Sequence, residues 1–413
     1  MFRRNLQSRL ETALADTPVV LVNGPRQSGK STLVRQLADA AGVPYRTMDD
    51  ATVLAAAMAD PDGFVANQPA AVAIDEIQKV PALFPAMKRA VDNDRRGGRF
   101  LLTGSANVLL LPRLADSLAG RMEVLPLLPL SQGELRGSRE SFVDWAFGQE
   151  APPPLSARRA AYDLAETIVA GGYPEAIARP DPARRAAWHD AYLSAVLQRD
   201  VRDLANIQGL TDVPRLLALL AARQSGLLNV SDVARGCGLP VSSVQRYVSL
   251  LQTVFLFEPL PAWFVNLEKR ITKAPKTHLV DTGLAAFLTG YDAERLRADP
   301  AFFGRLLEGF VVGEVRKQLS WSSVRATPYH FRTASGQEVD LVLESRDGRV
   351  VGIEVKGSST VGPGDFRGLE MLSEACQGNL ARGVVLYRGR TVVPFGRFWA
   401  MPVEALWEIG VPG

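Results

Sequence analysis

PVVLVNGPRQSGKSTLVRQLADAAG, residues 18–42, places an apolar run, a glycine-bounded loop and an apolar-periodic tail in immediate succession. Val19 to Val22 sit between Pro18 and Gly24, and the run reads as a buried strand. Gly24, four residues, Gly29, Lys30 and Ser31 then satisfy the phosphate-loop spacing G-x-x-x-x-G-K-[ST]. The following STLVRQLADAAG has helical spacing and ends on a glycine stop. The chemistry accounts for the spacing. Glycines let backbone N–H groups face phosphates, and the helix N-terminus adds the positive end of its dipole. Gly24, Pro25, Arg26, Gln27, Ser28, Gly29, Lys30, Ser31 and Thr32 are therefore the candidate nucleotide-contacting residues. Within them Lys30 neutralises β and γ oxygens and acts as a catalytic residue, and Ser31 ligates magnesium.

A second apolar run, AAVAIDEI (70–77), carries Asp75 and Glu76 at its C-terminal end, where ligands collect in open parallel sheets. Asp75 is expected to hold the magnesium and Glu76 to orient or deprotonate the attacking water. A third run, RFLLTGS (99–105), ends in Thr103 and Ser105, either of which suits a polar sensor. Arg121 lies in LADSLAGRMEVLPLLPLS (114–131), between a helical segment and a further strand. It is a candidate arginine finger for a neighbouring copy's γ-phosphate, with a structural ion pair or a role within its own chain as the alternatives.

GPRQSGKST, AIDEIQKV, LLTGSAN and LAGRMEVLPLLPLS, in that order, resemble the AAA+ ATPases of bacteria and archaea that carry a C-terminal domain of unknown function. The resemblance covers nearly the whole chain. It implies an α/β core with a parallel P-loop sheet in the order 5-1-4-3-2, ATP with Mg2+ as ligand, and homo-oligomers joined through nucleotide-bridging interfaces.

Outside that core, composition sets bounds. The 413 residues suffice for two to four domains; 47% hydrophobic and 22% charged content is that of a folded globular chain. No apolar run approaches the roughly 18 residues of a spanning helix, so no membrane association and a cytoplasmic location are expected. Cys237 and Cys376 lie far apart, and His189, His278 and His330 form no ligand-spaced cluster with them, which argues against zinc and against disulfides. A net charge of +3 permits a polyanionic partner without requiring one.

Four domains are expected: an AAA+ core at 1–130, a helical lid or linker at 131–210, a winged-helix-like unit at 211–290 and a C-terminal α/β unit at 291–413. Arg199, Asp200, Arg202 and Asp203 read as a solvated, ion-paired helix face. From Pro214 onward, RLLALLAARQSG, VSDVARGCG and SSVQRYVSLLQTV have helix-turn-helix spacing, with FLFEPLPAWFV and NLEKRITKAPK as the strands of a wing. In such a unit Ser242, Ser243, Gln245 and Arg246 face a major groove, while Lys269, Arg270, Lys273 and Lys276 meet DNA phosphates. Protein docking is the alternative use of the same module.

In the last third, LLEGFVVGEVRKQL (306–319) has helical periodicity, and YHFRTA, EVDLVLES and VVGIEVKGS read as strands separated by SGQ and RDGR turns. Glu308 on the helix, Asp340 on the second strand and Glu354 with Lys356 on the third resemble the PD-(D/E)xK fold of restriction-enzyme-like nucleases. That resemblance implies Glu308, Asp340 and Glu354 as ligands of Mg2+ or Mn2+, and Lys356 as the group that positions water; Asp340, Glu354 and Lys356 are the candidate nuclease residues. Glu314 is an alternative helical acid, and Glu338 lies on the same strand face as Asp340. Geometry constrains the idea. A two-residue turn at Asp347 and Gly348 would set Asp340 and Glu354 on opposite faces. A three-residue loop with Gly348 left-handed pairs Ser345 with Arg349 and sets Asp340 opposite Glu354, and this register is expected.

Together these readings point to an ATP-hydrolysing protein that couples turnover to DNA binding and processing, with metal-dependent cleavage as an added activity. The alternatives are a nucleotide-dependent regulatory or defence switch that binds a protein partner, and a helicase or branch-migration ATPase with a degenerate nuclease domain.

Overall fold

The computed structural model describes residues 2–107, 118–155, 163–201 and 212–412; Arg202 and Asp203 lie outside the described residues, as do the side chains of Arg199 and Asp200. The N-terminal part is a five-stranded sheet of β1 (Val19–Asn23), β2 (Tyr45–Thr47), β3 (Val72–Asp75), β4 (Phe100–Gly104) and β5 (Met122–Pro126). Every pairing is parallel, in the order β2-β3-β4-β1-β5, which is the 5-1-4-3-2 order the resemblance implies. β1, β3 and β4 are buried at every position. Their unbroken apolar runs, without polar alternation, follow from helices covering both faces of the sheet. One face packs Leu83, Phe84 and Met87 against Leu21, Ile74 and Leu102. The other packs Leu6, Leu10, Leu33 and Val34 against Val20, Val22 and Leu101.

The chain leaves this sheet through Ser131, whose side chain and that of Glu134 form a capping box that starts the helix Gln132–Arg136. Where a lid is expected, residues 131–147 instead fold onto the C-terminal part. Gln132 N–H donates to Glu314 at 2.8 Å, and Trp321 Nε1 donates to the Glu140 carbonyl at 3.1 Å. β6 (Ser138–Glu140) pairs antiparallel with the chain's last strand, Gly410–Pro412.

The helices Leu164–Ala170, Pro174–Ile177 and Pro182–Ala195 come next, and beyond them the middle unit has Val213–Ala222, Val230–Cys237 and Val241–Thr253. Antiparallel single bridges then join Leu227 and Leu260 to Lys276, and Phe257 to Leu279. The expected wing is only partly extended: Leu267–Thr272 is a six-residue helix capped by Asn266, not strand.

The C-terminal part is a six-stranded mixed sheet of β7 (Ala326–Arg332), β8 (Glu338–Ser345), β9 (Val350–Lys356), β10 (Leu380–Tyr387), β11 (Val393–Phe395) and β12 (Phe398–Pro402), ordered β11-β12-β10-β9-β8-β7. The helix Pro300–Leu319 covers one face and Arg367–Ala375 the other. Buried residues from Phe142 to Ile409 form one continuous cluster, so the segments at 131–210, 211–290 and 291–413 share a core.

Candidate functional site

The first site lies at the C-terminal edge of β1, β3 and β4. The loop after β1 passes against the backbone after β5: a Cβ on Gly24, whose φ is +149°, would meet the Leu127 carbonyl oxygen at 2.2 Å. No other residue fits there. The loop ends at Gly29 (φ +96°), which opens the helix Lys30–Ala41. Lys30 is buried, and its Nζ donates to the carbonyls of Gly24 at 3.0 Å and Pro25 at 2.7 Å, so its ammonium is turned into the loop's concavity. Pro25 and Ser28 are buried, Arg26 is half-buried, and Gln27 (φ +58°) and Thr32 are exposed.

Ser31 Oγ donates to Asp75 Oδ1 at 2.8 Å, which brings together the two side chains expected on magnesium. Asp75 also accepts from Thr103 Oγ1, and Thr47 Oγ1 donates to its other oxygen at 3.4 Å. Glu76 takes a left-handed backbone (φ +57°) just past β3, and its N–H donates to Thr103 Oγ1 at 3.0 Å. Its carboxylate accepts from Ser105 Oγ at 3.1 Å and from Gln78 Nε2, while Gln78 also donates to Ser105 at 2.9 Å. The two sensor candidates thus divide the work: Thr103 secures Asp75, and Ser105 secures Glu76. A half-buried hydroxyl paired with a buried acid beside a lysine-lined loop is the donor set a Mg2+-bound nucleotide requires.

Sequence reading missed Gln78 and Arg4. Arg4 Nη1 donates to the Ser28 carbonyl at 2.5 Å, Nη2 to the Leu128 carbonyl at 2.7 Å, and Nε to Glu134 at 3.0 Å. The guanidinium therefore clips the phosphate loop to the exit from the sheet.

Arg121 occupies the opposite edge. It precedes β5, and Met122 pairs with Val19 at the start of β1, whereas the phosphate loop follows Asn23 at its end. That separation is about 16 Å of strand at roughly 3.3 Å per residue, which excludes a role on this chain's own phosphate loop. Here Arg121 ion-pairs with Asp92 at 2.6 Å.

The second cluster lies in the C-terminal sheet. Ser345 N–H donates to the Arg349 carbonyl and Gly348 has φ +82°, the three-residue loop; the expected register holds as far as Leu341 opposite Ile353, and beyond it β8 is irregular between Val339 and Val342, so that Asp340 meets β9 through its side chain. Glu308 on the helix Pro300–Leu319 lies near Asp340, but the space between them is taken. Lys276 Nζ lies 2.8 Å from both Glu308 Oε1 and Asp340 Oδ1. Lys356 Nζ lies 2.8 Å from Glu354 Oε1, and Val355 N–H donates to Asp340 Oδ2 at 3.0 Å. Burial, then the Asp340 charge, holds Glu308 well above the usual carboxylate range and pushes Glu354 up to about 8. Burial works against the Lys276 ammonium, but Asp340 and Glu308 outweigh it and hold it protonated.

These residues do not fit a divalent metal. Among the described residues no group of three or more His, Cys, Asp or Glu side chains could hold one. At an effective dielectric of about 20, a divalent ion placed about 4 Å from an ammonium is repelled by roughly 8 kcal/mol. The expected ligand set Glu308, Asp340 and Glu354 is corrected accordingly: Lys276 stands among the acids, and two of the three carboxyls are pushed toward their neutral form. Glu314 lies elsewhere, paired with Lys317 at 2.6 Å, and Glu338 faces Arg332 at 3.5 Å.

Lys276 is also a correction to the expected DNA-contacting set, since it is 3% exposed. Arg270 is likewise engaged, ion-paired with Glu344. Ser242, Gln245, Arg246, Lys269 and Lys273 are exposed, and Ser243 is half-buried.

Three family models match the chain: an AAA domain over residues 16–136, a domain of unknown function (DUF8612) over 161–295 and another (DUF4143) over 303–406. The uncharacterized proteins Rv2008c of Mycobacterium tuberculosis and Mb2031c of Mycobacterium bovis are each 31% identical over 410 residues, 99% of this chain and 85% of theirs. Among solved structures, the Thermotoga maritima RuvB Holliday junction branch migration motor aligns at 17% identity and a TM-score of 0.30, covering 62% of this chain and 89% of that one. Among the described residues no helix is long and apolar enough to cross a membrane.

Proposed function

We propose that this chain, which belongs to the family of the mycobacterial proteins Rv2008c and Mb2031c, hydrolyses ATP and uses its nucleotide state to control how its helical and C-terminal parts engage DNA. The observation that carries the first half is the meeting of Ser31, Asp75, Glu76 and Lys30 at one edge of a 5-1-4-3-2 sheet that belongs to an AAA domain. Magnesium bound with ATP supplies charge neutralisation on the phosphoryl oxygens. Ser31 and Asp75 would hold that ion, and Lys30 would exchange its two carbonyl partners for phosphate oxygens. Glu76, fixed by Ser105 and Gln78, orients and deprotonates water. Lys30→Ala removes a charge-assisted bond worth about 1.5–3 kcal/mol, so ATP affinity is expected to fall roughly 10- to 100-fold by titration calorimetry. Unchanged affinity would remove the nucleotide-site assignment.

Arg121 fits a finger for a neighbouring copy. The test mixes two inactive chains, Arg121→Ala and Lys30→Ala, since in a mixed assembly the second lends its Arg121 to the first. Turnover above the sum of the separate variants is expected; turnover equal to the sum leaves Arg121 as a partner of Asp92 only.

DNA engagement is supported by the exposed Ser242, Gln245 and Arg246 on the third helix of the middle unit, with Lys269 and Lys273 nearby in sequence on the wing segment. A second reading, a docked protein partner, is favoured by one observation: Val265, Leu267 and Ile271 are exposed on that same segment, Ile271 at 86%. Salt separates them. Binding through several phosphates weakens steeply between 50 and 200 mM salt, by about 10³-fold for six contacts, whereas apolar docking does not. A labelled panel of duplex, single-stranded and branched DNA, with and without ATP, is the direct measurement.

A further inference from the structure

We propose that Lys276 is the resident cation of the C-terminal acidic pocket, standing where the nuclease-like fold would hold a metal and making that pocket a socket for the wing, not a hydrolytic centre. The lysine arrives from outside the C-terminal sheet. Its backbone exchanges two hydrogen bonds with Leu260, its N–H donating to the Leu260 carbonyl at 2.8 Å and its own carbonyl accepting from Leu260 N–H at 2.9 Å. Withdrawal would therefore require the bridges of Leu227 and Leu260 to open. Its ammonium contacts Glu308 and Asp340 at equal distances of 2.8 Å, which satisfies both acids from one centre, as a metal would.

The rest of the pocket leaves no surplus of negative charge for a metal to neutralise. Two ammonium groups, Lys276 and Lys356, are paired with Glu308, Asp340 and Glu354, and burial raises two of those three carboxyls toward their neutral form. His330, whose Nε2 lies 3.2 Å from the Ala274 carbonyl, is buried nearby and held neutral by burial and by the Lys276 charge, its pKa lowered to about 4, so it adds no further cation. The one orphaned oxygen, Glu354 Oε2, is buried without a hydrogen-bond partner among the described residues. A single such oxygen is fewer than the several a hard divalent ion takes.

The pocket also does mechanical work. Lys276 joins the wing to both the helix Pro300–Leu319 and β8, and Arg270 joins the same segment to Glu344 at the far end of β8. Two ion-paired cations on one short segment fix the middle unit on the C-terminal sheet, so a movement of one carries the other.

The test is Mn2+ binding by electron paramagnetic resonance on the full chain without nucleotide, with Asp75→Asn in every sample to silence the other acidic site. The Lys276 parent is expected to take up no Mn2+ that Asp340→Asn abolishes, and to cut no DNA in Mn2+. Lys276→Met keeps the aliphatic stem and removes the charge; it is expected to bind Mn2+ at least tenfold more tightly than the parent, in a manner lost with Asp340→Asn, while Lys276→Arg stays silent. Asp340-dependent Mn2+ binding or cleavage by the Lys276 parent would overturn the proposal. So would a folded Lys276→Met chain that binds no better than the parent. If Lys276→Met fails to fold, the parent's own Mn2+ titration decides.

Discussion

Glu76→Gln should lower ATP turnover about 10²- to 10⁴-fold, the range for loss of a positioned general base, while leaving ATP binding intact. The geometry explains why the two effects separate. The Glu76 carboxylate is anchored by Ser105 Oγ and by Gln78 Nε2, whereas Asp75 is held by Ser31 and Thr103, and the backbone N–H of Glu76 that reaches Thr103 is kept in a glutamine, so the amide replacement leaves the Ser31–Asp75 pair unaltered. A glutamine can still accept from Ser105, but it cannot take a proton from water. The variant is therefore expected to accumulate bound ATP, readable as retained radiolabelled nucleotide after rapid filtration. Wild-type turnover in Glu76→Gln would assign the base elsewhere. Loss of ATP binding would instead mean that the left-handed backbone at Glu76 holds β3 in place, a structural role that single-turnover rates distinguish from a chemical one.

How much of this was readable beforehand depends on sequence distance. The phosphate loop and its acids are local patterns: four residues between glycines, an acid pair closing a buried strand. Chemistry and spacing coincide there, and the structure brings Ser31 and Asp75 within 2.8 Å. The register of β8 and β9 was also accessible, because a turn of fixed length and a left-handed Gly348 determine which residues face each other. Lys276 was not. In NLEKRITKAPK it is one of four cations and looks solvated, yet its partners lie 32 and 64 residues further on, and no local rule announces burial. Lys273, three residues earlier, has the same local character and is exposed. Arg4, in a basic N-terminal stretch, was invisible for the same reason: its carboxylate partner is 130 residues away.

Arg4→Met should cost about 3–5 kcal/mol of stability, the range for removing one partner of a buried ion pair. Glu134 has no exposed side-chain surface, and Arg4 is 8% exposed, so solvent does not replace the lost guanidinium. The carboxylate would keep its bonds from Asn5 N–H at 2.8 Å and Ser131 N–H at 3.0 Å, which favours the lower end of that range. Even that is a large part of the 5–15 kcal/mol that holds a typical domain folded. Urea denaturation of the full chain, followed by a probe in the AAA domain, gives the number. Arg4→Lys should restore only part of it, since one ammonium cannot serve three acceptors held apart by a planar fork. Arg4→Met with Glu134→Gln should recover more than Arg4→Lys, because the larger penalty is the uncompensated charge. A loss under about 1 kcal/mol, the size of an exposed pair, would mean that water reaches Glu134. The same substitution frees the Ser28 carbonyl, so ATP affinity should weaken together with stability. That joint change is expected because one side chain ties the phosphate loop to Glu134, the acid that caps the helix leading toward the C-terminal core.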